Sequence, residues 1–343
     1  MSLNPFNDNK AKISSDTNPL SEQGCSLFLS DKEYSCYQNE TVLDALLRQQ
    51  VDAPYACRQQ SCQSCLMRSL DTVPPSESQE NLKETLKAQN YFLACACVPT
   101  QNMEIALQET VTKEVCAQVI EIEKLNETVM AIFLEYEGIL DYRAGQTIIL
   151  MNEDKLGKNY HITSATSKKE DKQLEIHIPL VIGGYFSEWI HNKLKIDDTV
   201  YICGPTGHHF YLASNSQQPL LFIAEGTGLS PLVGIIEDAL ESEHNGDIYL
   251  FHGTKQADRL YLVGDFKELA EYCSNFYYYP CVSTKTEGYL EGRADKIALQ
   301  TLPELNNYKV FICGQSYFVK NVQREAYLAG ASTKEIYSIF LSN

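Results

Sequence analysis

At 343 residues the chain exceeds what one modest core can hold and points to two or three domains. Hydrophobic residues at 44% and charged residues at 21% are ordinary for a globular protein, and no apolar run reaches the length of about eighteen residues that a transmembrane helix needs. A formal net charge of −17 argues against nucleic acid as a partner, because phosphates would be repelled. The acidity is dispersed, so it reads as a solvated surface that also suits steering of a basic partner protein.

The opening residues, MSLNPFNDNKAKISSDTNPL, are polar and lack the apolar core of a secretory signal. Residues 1–22 are expected to form a disordered leader, the compartment to be cytoplasmic, and no membrane to be involved. CSLFLSDKEYSCYQ then predicts a hairpin of two short strands. ETVLDALLRQQVDAP spaces Val42, Leu43, Leu46 and Leu47 along one helical face, with Thr41 as N-cap and Pro54 as the stop.

The loop ACRQQSCQSC follows, and after a polar stretch comes NYFLACACVP. Cys57, Cys62 and Cys65 have the spacing C-x4-C-x2-C, and Cys95 follows after twenty-nine intervening residues. Four thiolates at this spacing match the plant-type pattern for a 2Fe–2S cluster, with three ligands on one loop and the fourth arriving from a strand. Structural zinc more often uses two C-x2-C pairs, and the five-residue step is awkward for it. Cys97 competes with Cys95; strand alternation puts both on one face, and the spacing favours Cys95. The other cysteines (Cys25, Cys36, Cys116, Cys203, Cys273, Cys281, Cys313) are scattered, mostly in apolar runs, and read as buried small hydrophobes.

From EVCAQVIEIEKLNETVMAIFLEY through AGQTIILM, short alternating strands suggest a small antiparallel barrel. Within it lie YHITSATS, GGYFS and CGPTG, each of which alone reads as a turn or loop. PLLFIAEGTGLSPLVGIIEDAL is an apolar strand, a glycine turn and an amphipathic helix. DIYLFHGTK, FYYYPCVS and YKVFICGQS are further strands, and FVKNVQREAYLAG is a helix ending at Gly330. This alternation implies a parallel sheet with helices on both faces, and Gly226-Thr227-Gly228 sits where backbone N–H groups can hold a dinucleotide pyrophosphate.

In this order the segments resemble the three-module iron–sulfur flavoprotein reductases. In these a plant-type 2Fe–2S ferredoxin domain is fused to a ferredoxin–NADP reductase-like module, as in oxygenase reductase components and the reductase of deoxysugar biosynthesis. The resemblance spans residues 23 to 343 and implies a multi-domain fold. An α+β ferredoxin-like (β-grasp) domain would cover 23–110, an antiparallel β-barrel flavin domain 111–213, and an α/β parallel-sheet nicotinamide-binding domain 217–343.

The cysteine loop is similar to the family's C-R-x-G-x-C-G-x-C, with Arg58 kept and Gln60 and Gln63 in place of glycines. YHITSATS stands where the family has R-x-Y-S-x-x-S. Ser164 and Ser167 match, while His161 replaces the arginine that binds flavin phosphate and Thr163 the tyrosine that packs on the ring. Ser164 would support hydride transfer near flavin N5. Gly183, Gly184 and Ser187 resemble the phosphate-binding turn, and CGPTG resembles the G-P-x-G that closes the barrel. Gly226, Thr227 and Gly228 resemble the AGGTGIAP signature. Cys313 and Gly314 match the C-G-P beside the nicotinamide, with Gln315 for proline. Phe340 resembles the terminal aromatic, and Ser338 replaces the acid two places before it.

The resemblance implies an NAD(P)H-dependent flavin/iron–sulfur oxidoreductase that carries a 2Fe–2S cluster and FAD and uses NADH or, in its place, NADPH. Lys255 and Arg259 follow a strand where a ribose phosphate could bind, or are surface charges. The partner would be a redox protein acceptor such as an oxygenase component. Two readings from other classes stand beside it. One is a non-enzymatic iron–sulfur redox sensor or scaffold with a degenerate flavin site, motivated by His161, Thr163 and Ser338. The other is a zinc-binding interaction protein.

Overall fold

A computed structural model describes residues 23–107 and 114–341. These fall into two compact units, one of residues 23–81 with 90–107 and one of 82–89 with 114–341. The expected leader and the expected boundary at residues 110 and 111 lie outside the described residues.

The first unit is built on a five-stranded sheet. Its strands are β1 (Gln23–Leu29), β2 (Lys32–Tyr37), β3 (Leu66–Ser69), β4 (Tyr91–Leu93) and β5 (Met103–Leu107), in the order β2-β1-β5-β3-β4. β1 and β2 form the expected hairpin, and β1 runs parallel to β5. Helix α1 (Val42–Arg48) buries Val42, Leu43, Ala45 and Leu46, and Thr41 caps it by accepting from Asp44 N at 3.1 Å. The expected stop at Pro54 is not where the helix ends. The apolar stripe is exhausted at Leu47, Gln49 Nε2 bonds Ala45 O at 2.9 Å and Ser35 O at 2.8 Å, and Gln50 turns left-handed (φ 61°). Cys95 is likewise not on a strand: β4 ends at Leu93, and a turn closed by Ala96 N to Leu93 O (2.9 Å) carries the cysteine.

The second unit holds the short helix α2 (Glu84–Lys87) and two six-stranded sheets. The first sheet comprises β6 (Glu114–Asn126), β7 (Val129–Tyr136), β8 (Thr147–Met151), β9 (Gly157–His161), β10 (Gln173–Pro179) and β11 (Thr199–Thr206). It is antiparallel in the order β10-β7-β6-β11-β8-β9, and a bridge between Ile162 and Ile176 closes it into a barrel. Alternation explains the core. Leu174, Ile176 and Ile178 of β10 join Ile132, Leu134 and Ile202 inside, so Glu175, His177 and Pro179 face outward. Helix α3 (Tyr185–Asn192) covers the barrel with Phe186 and Ile190.

The second sheet is parallel. Its strands are β12 (Leu220–Glu225), β13 (Ile248–Thr254), β14 (Phe276–Val282), β15 (Leu290–Glu291), β16 (Lys309–Gly314) and β17 (Ile336–Phe340), ordered β15-β14-β13-β12-β16-β17. Leu220, Phe222 and Ala224 pack in one cluster and Leu221 and Ile223 in another, so both faces of the sheet are covered. Helices α4 (Ser230–Glu241), α5 (Val263–Tyr272), α6 (Ala294–Thr301) and α7 (Ser316–Leu328) supply that cover. Because β13 and β16 flank β12 on opposite sides, the chain reverses direction there and opens a crevice at the strands' carboxyl ends.

Helix α4 ties the two sheets together. A Cβ on Gly234 would lie 2.8 Å from Ser164 O and 2.9 Å from the Ala144 Cβ, so only glycine admits the close approach. One turn on, the Asp238 carboxylate accepts from Thr166 N at 2.6 Å and Thr166 Oγ1 at 2.5 Å.

Candidate functional site

The cysteine loop turns back on itself so that backbone N–H groups face sulfur. Cys57 Sγ accepts from Gln59 N at 3.3 Å and Cys62 N at 3.4 Å, and Cys62 Sγ accepts from Cys57 N at 3.4 Å and Ser64 N at 3.5 Å. These bonds require left-handed backbone at Arg58 (φ 53°), Gln60 (φ 60°) and Gln63 (φ 57°). The two glutamines thus adopt conformations that glycine takes at no steric cost.

Hydrogen bonds from Ser61, Gln59 and Cys62 bring the Cys57 thiol down to about 6, which favours the thiolate a cluster ligand needs. Burial dominates at Cys65 and pushes its thiol up to about 11, with Cys95 as its hydrogen-bonding neighbour. The four thiols therefore stand in two pairs, Cys57 with Cys62 and Cys65 with Cys95. Among the described residues no group of three or more His, Cys, Asp or Glu converges on a point where one metal ion would be held. Two irons with two thiolates each fit this arrangement, whereas a single tetrahedral ion needs four ligands on one point. Cys97 is fully buried and burial raises its thiol to about 12.

In the second unit a cavity of about 560 Å³ opens between the barrel and the carboxyl ends of the parallel sheet. Lys158, His161 and His177 line it from the barrel, Ser187 from α3, and Thr227 and Phe340 from the sheet side. The cavity wall thus holds four of the expected residues: His161, Ser187, Thr227 and Phe340. His161 Nδ1 lies 3.1 Å from Thr147 Oγ1, and burial pulls the ring down to about 4, so it is neutral at pH 7.

Thr163 and Ser164 lie behind the wall. Thr163 Oγ1 is 2.8 Å from Ser230 Oγ, and Ser164 Oγ accepts from Glu175 N at 3.0 Å. Ser167 is turned away from the cavity, its hydroxyl donating to Glu241 at 3.2 Å. In the turn before α3, Gly183 (φ +78°) donates its N–H to Glu188 Oε1 at 2.7 Å, and Ser187 Oγ accepts from Val181 N at 3.1 Å. Gly184 is the N-cap of α3.

The nicotinamide-side residues gather at the switch point of the parallel sheet. Gly226, Thr227 and Gly228 form a tight turn between β12 and α4, and His252 Nε2 donates to Gly226 O at 3.0 Å. A Cβ on Gly228 would lie 2.7 Å from the Cys313 carbonyl carbon and 3.0 Å from Gly314 N, so the turn presses against Cys313-Gly314. Register places Ile339 opposite Cys313 and Phe340 opposite Gly314. Burial holds Cys313 as a neutral thiol. A second cavity, of about 330 Å³, lies beyond β12, β13 and β14 and is lined by Glu225, Thr254, Lys255, Ser283 and Arg293. Lys255 is therefore placed on this cavity, and Arg259 is not among its lining residues.

Lys158, His177 and Ser230 are among the cavity residues that the sequence reading did not single out. Lys158 carried no motif, and Ser230 stands in the glycine-turn signature at a position given no role. His177 sat in the alternating run EIHIP, whose outward positions read as solvent-facing until a second layer is known to cover them.

Chain comparisons agree with this layout. Family models match for the 2Fe-2S iron-sulfur cluster binding domain at residues 28–100, the oxidoreductase FAD-binding domain at 117–211 and the oxidoreductase NAD-binding domain at 222–324. The phenol hydroxylase P5 protein of Acinetobacter pittii (strain PHEA-2) is 30% identical over 292 residues, covering 81% of this chain and 82% of that protein. The aromatic O-demethylase reductase subunit of Amycolatopsis sp. is 28% identical over 302 residues, covering 84% and 90%. The crystal structure of Amycolatopsis cytochrome P450 reductase GcoB superposes with a TM-score of 0.64 at 25% identity, over 91% of this chain and 97% of that one. Paired thiols, a closed barrel and a parallel sheet, matched in order by all three family models, make this chain a member of the iron–sulfur flavoprotein reductases.

Proposed function

We propose that the protein is an NAD(P)H-dependent electron-transfer reductase, passing electrons from NAD(P)H through FAD and a 2Fe–2S cluster to a partner oxygenase or other redox protein. The observation that carries this is the cavity where the barrel's His161 and His177 face Thr227 and Phe340 of the nucleotide sheet, in a chain that also pairs four thiols on one loop and turn. When bound, the flavin takes an electron pair from nicotinamide and the cluster carries single electrons onward.

Cys57, Cys62, Cys65 and Cys95 would hold the cluster, with loop N–H groups stabilising the thiolates. Ser164, fixed by Glu175 N, would support the flavin N5 edge, and Thr163 would back the ring. The phosphate side falls to His161, Ser167, Gly183, Gly184 and Ser187. His161 contributes hydrogen bonding and no charge, while Lys158 on the same wall is cationic. Gly226, Thr227 and Gly228 would place the dinucleotide, and Cys313, Gly314 and Phe340 would border the nicotinamide. Module limits of 23–110, 111–213 and 217–343 accord with this assignment. Cytoplasmic residence suits a chain that draws on NAD(P)H and keeps twelve free cysteines.

The test is a pair of assays on one Cys62→Ser preparation with flavin confirmed bound. NAD(P)H-driven ferricyanide reduction, which needs only the second unit, should survive. Cytochrome c reduction should fall at least about tenfold, equivalent to roughly 1.4 kcal/mol of barrier. Equal retention of both activities would take the cluster off the electron path and refute the reading.

A further inference from the structure

A reductase of this kind must dispose of a proton. A hydride carries two electrons and one proton, whereas a cluster and a protein acceptor take electrons alone. The balance is NAD(P)H giving NAD(P)+, two electrons and H+, so one proton per hydride has to leave the flavin cavity.

His177 lines that cavity from the outward face of β10, and its side chain has no solvent exposure. Its Nε2 lies 2.7 Å from Glu175 Oε1, two residues back on the same face. Its Nδ1 has no hydrogen-bond partner among the described residues. With Nε2–H donated to the carboxylate, the Nδ1 lone pair is left over, which is an unfavourable arrangement for a residue kept only for packing. Glu175 has a side chain 24% exposed, so the pair joins the cavity to water.

The surrounding titratable groups offer no equal route: Tyr160 lines the cavity with an unpartnered hydroxyl, but burial holds its phenol protonated. Tyr261, after β13, stacks edge-on against His177 at 5.4 Å, and burial holds its phenol protonated. His252 on β13 lies 5.6 Å beyond Tyr261; burial pulls it down to about 4, and its Nε2 is fixed on Gly226 O. Tyr261 and His252 also carry orphaned polar atoms, but neither lines the cavity or holds a carboxylate. His161 on β9 is neutral, Lys158 beside it is a cation, and Cys313 on β16 is a neutral thiol. Glu237 on α4 is raised to about 7, first by burial and then by the charge of Glu175.

We propose, on the footing of the reductase reading above, that His177 accepts at Nδ1 the proton left in the flavin cavity once each hydride's two electrons have departed. In the same step Nε2 gives its proton to Glu175, which releases it to water; the ring is left uncharged with its proton on Nδ1 and regains Nε2–H by flipping before the next turnover. No further oxidant or reductant enters the balance.

The experiment uses the full-length holoprotein with flavin content measured for every variant. The flavin midpoint potential is titrated against pH at equilibrium, and delivery to cytochrome c is timed with and without added imidazole. Because the relay leaves the ring uncharged, the potential–pH line of His177→Gln should overlay that of wild type, which shows the flavin site intact. Cytochrome c reduction by His177→Gln should fall at least about tenfold and be partly restored by imidazole. Glu175→Gln, which preserves shape but cannot take a proton, should slow delivery to cytochrome c to a similar degree. Undiminished delivery in His177→Gln or Glu175→Gln, or a loss in His177→Gln that imidazole leaves untouched, overturns the proposal. A wild-type protein that never reduces cytochrome c with NAD(P)H fails earlier, at the reductase reading itself.

Discussion

Replacing Gln60 with glycine should stabilise the cysteine loop, whereas the same change at Gln63 should not. Both residues are left-handed, at φ 60° and 57°. That conformation costs a non-glycine residue about 1–2 kcal/mol. Glycine removes the cost but gives back about 0.5–1 kcal/mol through its freedom in the unfolded chain. The net gain is about 0.5–1 kcal/mol at Gln60, whose side chain makes no hydrogen bond among the described residues. Gln63 differs because its Nε2 donates to Asn81 O at 3.1 Å. Losing that bond costs about 0.5–1.5 kcal/mol and cancels the gain. In a unit of this size the Gln60→Gly change should raise the melting midpoint by roughly 2–8 °C. The readout is thermal melting of the holoprotein followed through the cluster's visible circular dichroism. A lower midpoint for Gln60→Gly, or an equal rise for Gln63→Gly, would refute the strain argument.

Two further outcomes follow from the second unit. His161→Arg should tighten flavin by about 10- to 150-fold, the worth of a charge-assisted bond of about 1.5–3 kcal/mol, because the native ring is uncharged at neutral pH; flavin fluorescence titration measures it, and unchanged affinity would mean the phosphate is held without this position. Gly234→Ala should lower the melting midpoint and loosen flavin, since overpacking against Ser164 O and Ala144 costs about 1–3 kcal/mol and outweighs the usual helical gain of about 0.5–1 kcal/mol; a higher midpoint would show that the helix can shift freely.

The legible parts were those written in local spacing. The cysteine intervals, the Thr41 cap, the strand alternation of the barrel and the strand–glycine–helix of the nucleotide sheet all report local geometry, and the structure carries each of them. What escaped depends on contacts distant in sequence. α1 stops before Pro54 because Gln49 reaches across to Ser35 on β2, a partner fourteen residues away. Cys95 lies in a turn because β4 has pairing only through Leu93. His177 was not singled out because alternation describes one sheet, while the ring packed on it is that of Tyr261, more than eighty residues downstream. Gln60 and Gln63, where the resemblance has glycines, stand in left-handed turns, a conformation that glycine takes at no steric cost.

The seating of α4 on the barrel also bears on how such reductases can be recombined. Sequence order suggests a seam between residues 213 and 217, where a barrel from one relative might be joined to a nucleotide sheet from another. α4 crosses that seam in space. It begins at the Gly226 turn, presses Gly234 onto the backbone of residues 163 and 164, and ends its grip with Asp238 on Thr166. A chimera cut at 213–217 would set a foreign helix against this backbone, and any side chain at position 234 would wedge the two sheets apart. The exchangeable block is the barrel together with β12 and α4, cut in the loop at residues 242–247, where β13 has not yet begun.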